Sequence, residues 1–201
     1  MRLRLNRSTA IATALALSVY AQMPGTPLGL SPALAQTPER NALNRRSPLD
    51  RKVEAERLHR EAMGEFEEEG YTAALEKFQK SLALYKEIGD SSAIGRSLNN
   101  IGMVYSRLNL NDVALEFLEQ ALAINTEIGN TNGEWRTLFN MGQVYENIGQ
   151  NNKAWQLYRQ VLAIAQTSGD RVAALDKISG ETGFAAELSE LSILQHDELI
   201  G

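Results

Sequence analysis

The chain contains no cysteine. Disulfides, a thiol nucleophile and a lipidated N-terminal cysteine are therefore excluded, and stability must come from packing. Histidine is scarce as well. His59 and His196 lie far apart, and neither falls in a zinc spacing such as two histidines one helical turn apart. Aromatic residues make up only 6%, and the dominance of Ala and Leu favours helices over strands. No glycine-rich loop with a lysine is present to cradle a phosphate; Gly180-Glu181-Thr182-Gly183 is too short. No serine stands in a nucleophile-elbow context. Paired carboxylates occur only as helix-surface charges. The sequence points away from an enzyme and from any metal or cofactor.

Basic residues are outnumbered: 20 Lys and Arg face 25 Asp and Glu, a net charge of −5. The first 35 residues deepen the imbalance if they are removed. Arg2, Arg4 and Arg7 form a basic start, and Thr9 to Ala21 is apolar but short for a bilayer span. Ala33-Leu34-Ala35 places small residues where a signal peptidase needs them, and Val19-Tyr20-Ala21 is a second site of that kind. Pro24, Pro27 and Pro32 oppose a longer helix. The expectation is a signal peptide over 1–35, cut after Ala35. The protein would then be exported (periplasm, thylakoid lumen or secreted) with no membrane span afterwards. Losing three arginines takes the net charge from −5 to −8, which argues against non-specific nucleic-acid binding. Residues 36–50 are polar, contain Pro38 and Pro48, and read as a flexible leader.

Against these absences stand 43% hydrophobic residues in 201 positions, enough for one ordinary domain with a real core. They are arranged periodically. Ile88-Gly89-Asp90, Ile128-Gly129-Asn130 and Ser168-Gly169-Asp170 are spaced 40 residues apart, and residues 91–130 match 131–170 at 13 of 40 positions. A fixed period in this range means stacked helical units. Each holds two amphipathic helices. Ile94, Leu98, Ile101, Gly102 and Tyr105 share one face, then Ala114, Leu115, Leu118, Ala121, Leu122 and Ile124 another. The next unit repeats this with Leu138, Met141, Gly142 and Tyr145, then Ala154, Tyr158, Leu162 and Ile164. Gly129 is expected to end a helix. Asp90, Asn130, Asp170 and either Asn111 or Asp112 are expected to cap the helices that follow them.

These residues resemble the tetratricopeptide repeat. Its small and aromatic positions match Leu98, Gly102, Tyr105, Ala114, Leu118 and Ala121. They match again at Leu138, Gly142, Tyr145, Ala154, Tyr158 and, less well, Val161. The 40-residue spacing is similar to the longer variant of kinesin light chains and of bacterial multi-repeat proteins. The resemblance implies an all-α fold, a right-handed superhelical solenoid of antiparallel helix pairs. The units are expected at about 51–90, 91–130 and 131–170, with a partial unit at 171–180. The first is weaker: residues 71–90 match 111–130 at eight of 20 positions, and Leu58, Ala62 and Phe66 are in phase. Glu61 and Glu65, however, stand where the other units are apolar, as suits an end repeat. Val172, Leu175 and Ile178 continue the phase before Gly180 and Gly183 interrupt it. Phe184, Leu188, Leu191, Leu194 and Leu199 then suggest a C-terminal capping helix over 181–201.

The resemblance also implies a protein or peptide ligand in a groove lined by the first helix of each pair. By phase that stripe is Arg96, Asn100, Met103 and Arg107, then Arg136, Asn140, Gln143 and Asn147, eight positions without an acid in an acidic chain. Side-chain amides at Asn100 and Asn140 can bind peptide backbone. Guanidinium groups at Arg96 and Arg136 can grip acidic groups. Met63 and Met103 can hold an apolar side chain. Glu65, Glu67, Glu68 and Glu69 crowd one helix end, mostly as a solvated surface. The expected function is a non-catalytic scaffold binding a peptide or protein segment. The alternative is an assembly factor that dimerises through its C-terminal helix, so the chain is read as a monomer or weak homodimer.

Overall fold

Helix α1 (Pro48–Glu67) starts where local chemistry favours a start. The Ser47 hydroxyl accepts from the Asp50 N–H at 3.1 Å, the Asp50 carboxylate accepts from the Ser47 N–H at 3.2 Å, and Pro48 opens the first turn. Residues 48–50 are thus helical, which shortens the expected leader. The computed structural model describes residues 47–168 and 171–184. The expected signal peptide, the rest of the leader, the Asp170 cap and the apolar residues from Leu188 onward lie outside the described residues.

After α1 come α2 (Tyr71–Ile88), α3 (Ser91–Arg107), α4 (Asn111–Glu127), α5 (Thr131–Asn147), α6 (Asn151–Ser168) and α7 (Arg171–Glu181). All regular structure among the described residues is helical, in adjacent packed pairs: α1 with α2, α3 with α4, α5 with α6. The all-α helix-pair fold expected from the periodicity is what the chain adopts. No described helix is long and apolar enough to cross a membrane. The chain falls into two compact bodies, one ending at Gly89 and one beginning at Asp90.

In the first body the core is Ala55, Ala62, Ala74, Leu75, Phe78 and Tyr85, with His59 edge-on to Phe78 at 5.2 Å. Glu61 and Glu65, out of place as core residues, take a different role. Lys77 of α2 reaches Glu65 at 2.7 Å and Glu61 at 3.7 Å, so charge pairs join α1 to α2.

In the second body each pair closes on a glycine. A Cβ at Gly102 would stand 2.7 Å from Leu118 Cγ, and one at Gly142 would stand 2.8 Å from Tyr158 Cζ. The buried set on α4 is Ala114, Phe117, Leu118 and Ala121, and on α6 it is Ala154, Tyr158, Val161 and Ala165. Leu162 and Ile164, expected inside, are only half-buried and pack against the edge of that core. Asn125, 2% exposed, links α4 to α5. Its amide donates to Thr137 Oγ1 at 3.4 Å and its carbonyl oxygen accepts from Asn130 at 3.0 Å. Gly95 lies against it, with room for no Cβ: one there would be 2.9 Å from Asn125 Oδ1.

Capping follows expectation at two junctions. Asp90 accepts from the Ala93 N–H at 3.0 Å and Asn130 from the Gly133 N–H at 3.1 Å, while Gly129 takes a φ of +66° after α4. It fails between α3 and α4. The N-cap there is Leu110, with no side-chain cap bond, and Asn111 and Asp112 lie inside the first turn. The physical reason is the turn before it. Asn109 has a φ of +59° and the Leu110 N–H reaches back to the Tyr105 carbonyl at 2.9 Å, so the chain re-enters a helix one residue early. Asp112 still faces the positive end of the helix dipole.

Two outcomes test this packing. Gly142→Val should lower unfolding free energy by about 1–3 kcal/mol through overpacking against Tyr158. Gly180→Ala, where nothing lies within 4 Å of the new Cβ, should lose no stability in the same urea titration. Tyr105 is buried, its hydroxyl has no hydrogen-bond partner among the described residues, and burial pushes its pKa up to about 12 from 10. The unfolded chain then loses this proton first, so stability should fall as pH rises from 10 towards 12. Tyr105→Phe should flatten that decline while costing little at pH 7, as read from thermal melts across pH.

Candidate functional site

Helices α3 and α5 each bury one side and leave the other to solvent. Leu98, Ile101 and Tyr105 point α3 into its core, as Leu138, Met141 and Val144 do for α5. The opposite side of α3 carries Arg96, Asn100, Met103 and Arg107, at spacings of four, three and four. On α5 the same pattern carries Arg136, Asn140, Gln143 and Asn147. Arg96, Arg107 and Asn147 are exposed; the other five are half-buried. None of the eight is lost to the core.

The two stripes are brought together by an amide ladder. The Asn140 side-chain amide donates to the Asn99 carbonyl oxygen at 2.9 Å, and the Asn99 amide donates to the Asn100 carbonyl oxygen at 3.3 Å. Asn99 is 3% exposed and was not among the expected site residues. The signal was present: its repeat equivalent is the core residue Phe139, so an amide at 99 needed a polar partner.

One helical turn before that ladder, on both helices, stand Arg96 and Arg136. Neither guanidinium has a hydrogen bond or ion pair among the described residues. Burial, and then the charge of Arg96, hold the Arg136 pKa below the usual arginine value. Two guanidinium groups therefore stand on helices joined by the Asn140–Asn99 bond, neither with an ion pair among the described residues. Such a pair is suited to an acidic group, which it can grip in bidentate fashion.

The far end of the stripe is differently furnished. Gln143 donates to Glu181 of α7 at 3.4 Å, and Lys177 donates to the same carboxylate at 2.8 Å. Lys177 also lies over the Phe139 ring, 4.8 Å from its centroid. The Glu146 carboxylate accepts from the Tyr158 hydroxyl at 3.0 Å and from the Gly183 N–H at 2.8 Å. That seats Phe184 against Trp155 and Tyr158, with ring centroids at 5.4 and 5.5 Å. The end of the stripe nearest Gln143 is thus met by an acid of the chain itself, and the Arg96–Arg136 end is open.

The remaining sequence candidates fall elsewhere. Met63 is half-buried in the first body. Of the glutamates at the end of α1, Glu65 pairs with Lys77 and the other three are exposed. No group of three or more His, Asp or Glu able to hold a metal ion occurs among the described residues.

The sequence profile of the tetratricopeptide repeat matches residues 53–127 and 111–167. Among solved structures, the chain is similar to aspartyl phosphate phosphatase F from Bacillus subtilis (TM-score 0.60, 16% identity, 96% of this chain and 46% of that one). It spans less than half of that protein's length. It is also similar to the nearly identical TPR-like repeats of a Podosopora anserina kinesin light chain. One structure of these gives a TM-score of 0.52 and 17% identity over 96% of this chain and 87% of that one. Another gives 0.50 and 18% over 91% and 82%. At these identities the likeness concerns the fold. The search of curated proteins gives no match.

If Arg96 and Arg136 repel in the free protein, relieving them should not cost stability. Arg96→Gln is expected to leave unfolding free energy unchanged or to raise it by up to about 0.5 kcal/mol, in low salt. A loss greater than that in chemical denaturation would mean that Arg96 has a structural partner in solution.

Proposed function

The chain belongs to the tetratricopeptide-repeat family, and we propose that it is a non-catalytic binding module whose α3–α5 face holds an acidic peptide or protein segment. The observation that carries this reading is the pair Arg96 and Arg136, on helices joined at Asn140–Asn99 and without a carboxylate partner among the described residues. Half-burying a guanidinium without a counter-charge is unfavourable. A ligand carboxylate would relieve it. Asn100 and Asn140 sit one turn further along, and the side-chain oxygen of Asn140 suits an extended backbone. Met103 offers an apolar contact beside them.

The self-association reading rests on Phe184 and the leucines after it. Phe184 is already seated on Trp155 and Tyr158 of its own chain, which favours a C-terminal cap on the third repeat over a dimer contact. We further read residues 1–35 as an export signal, so the ligand is sought outside the cytoplasm.

The test is binding of fluorescent glutamate-rich peptides at low salt, followed by anisotropy. The wild-type chain should bind them with an affinity that weakens as salt rises. Arg96→Glu combined with Arg136→Glu should abolish binding and leave the melting curve in place. Equal binding by the double variant would sink the assignment.

A further inference from the structure

The stripe position that holds Arg96 on α3 and Arg136 on α5 falls, 40 residues on, at Asp176 of α7. Asp176 is exposed, like Arg96, and its carboxylate makes no ion pair or hydrogen bond among the described residues. The other acid of α7, Glu181, is neutralised by Lys177 at 2.8 Å. Contacts place α7 beside α5, two to three residues short of the repeat register: Lys177 over Phe139, Gln143 to Glu181, Gly183 to Glu146. On the other side of α5, Asn140 meets Asn99 of α3. Arg136 therefore stands between the helix of Arg96 and the helix of Asp176, with Asp176 two to three residues further along α7 than the point facing Arg136. By repeat equivalence, positions 96, 136 and 176 carry two cations and then an anion, none with an ion pair among the described residues.

Packed helices stand about 8–10 Å apart, and an extended chain advances about 3.3 Å per residue. A strand crossing the three helices thus takes about three residues per step. Building on the acidic-segment reading above, we propose that the ligand is a peptide segment of mixed charge. Two acids about three residues apart lie over Arg96 and Arg136, and a lysine or arginine about three residues further lies over Asp176. The two arginines select the acids, and Asp176 sets the direction in which the segment runs. A second acid in place of the base would meet Asp176 with like charge, which is how such a face rejects a uniformly acidic chain.

The experiment is selection of a displayed library of random twelve-residue peptides on the full chain, with anisotropy titrations of the enriched peptides. The expected enrichment is acid, acid and base at intervals of three. Replacing the base by glutamate should weaken binding about two- to fivefold at low salt, the range of an exposed ion pair. Asp176→Lys should reverse that preference and Asp176→Asn should erase it. Asp176 is exposed, so both variants should keep the wild-type melting curve. Acid enrichment that is lost in the Arg96→Glu, Arg136→Glu chain but is indifferent to both Asp176 variants overturns the mixed-charge proposal and leaves the acidic-segment reading standing. Enrichment without acids overturns both.

Discussion

The two helices of a pair approach too closely to admit a side chain at the contact, and much else follows from that. Gly102 lets α3 come down on Leu118, and Gly142 lets α5 come down on the Tyr158 ring. In the first repeat the corresponding positions are Ala62 and Phe78, both fully buried. Because Tyr158 lies flat under α5, its hydroxyl reaches Glu146 on the same helix, and Glu146 in turn holds the backbone of Gly183 and so places Phe184. A side chain at position 142 would lever the pair apart and disturb that sequence of contacts at its origin. The turn between paired helices is equally constrained. Glu69, Asn109 and Gly149 all take positive φ values, of 61°, 59° and 75°, so that the chain can reverse within three residues.

Charge is used in two opposite ways. The first repeat lacks the apolar residues of the others at 61 and 65, and it joins its helices there by Lys77 with Glu61 and Glu65. Such pairs contribute little each in water, but they keep an outer surface polar without leaving a charge unmatched. Arg96 and Arg136 do the reverse. They are like-charged, each one turn before the Asn140–Asn99 bond, and have no ion pair among the described residues, in a chain with more acids than bases. Such an arrangement adds nothing to stability; under the function proposed above, it is the ligand's acid that would relieve it.

Much of the fold was legible in the sequence because a helix pair is a local object. The 40-residue period, the apolar spacing and the junction residues Asp90, Gly129 and Asn130 all act within a few turns of where they stand. The misreadings have a common cause. Asn111 was expected as a cap because its side chain is suited to one, yet the positive φ at Asn109 had already redirected the chain. Leu162 and Ile164 were placed inside by periodicity, while Val161 and Ala165 are the residues fully buried against the neighbouring helices. Asn99 stands at a core position by repeat equivalence, but the partners that satisfy its amide and that of Asn125 lie on other helices and follow only from the fold.

By itself the sequence determined the helix pairs, their number in the repeating region and the acid-free stripe, because all three depend on spacing along one chain. It could name Arg96 and Arg136 as equivalent positions but could not say whether nearby glutamates neutralised them. Only the tertiary structure decided that, since an ion pair depends on distance between helices that are 40 residues apart. The same holds for Glu181, which meets Gln143, and for Asp176, which is left without a partner among the described residues. The absence of cysteine with which the sequence begins its account is satisfied in the same place. Close helix packing around Gly102 and Gly142, with buried amides joining the helices, supplies the cohesion that no covalent link provides.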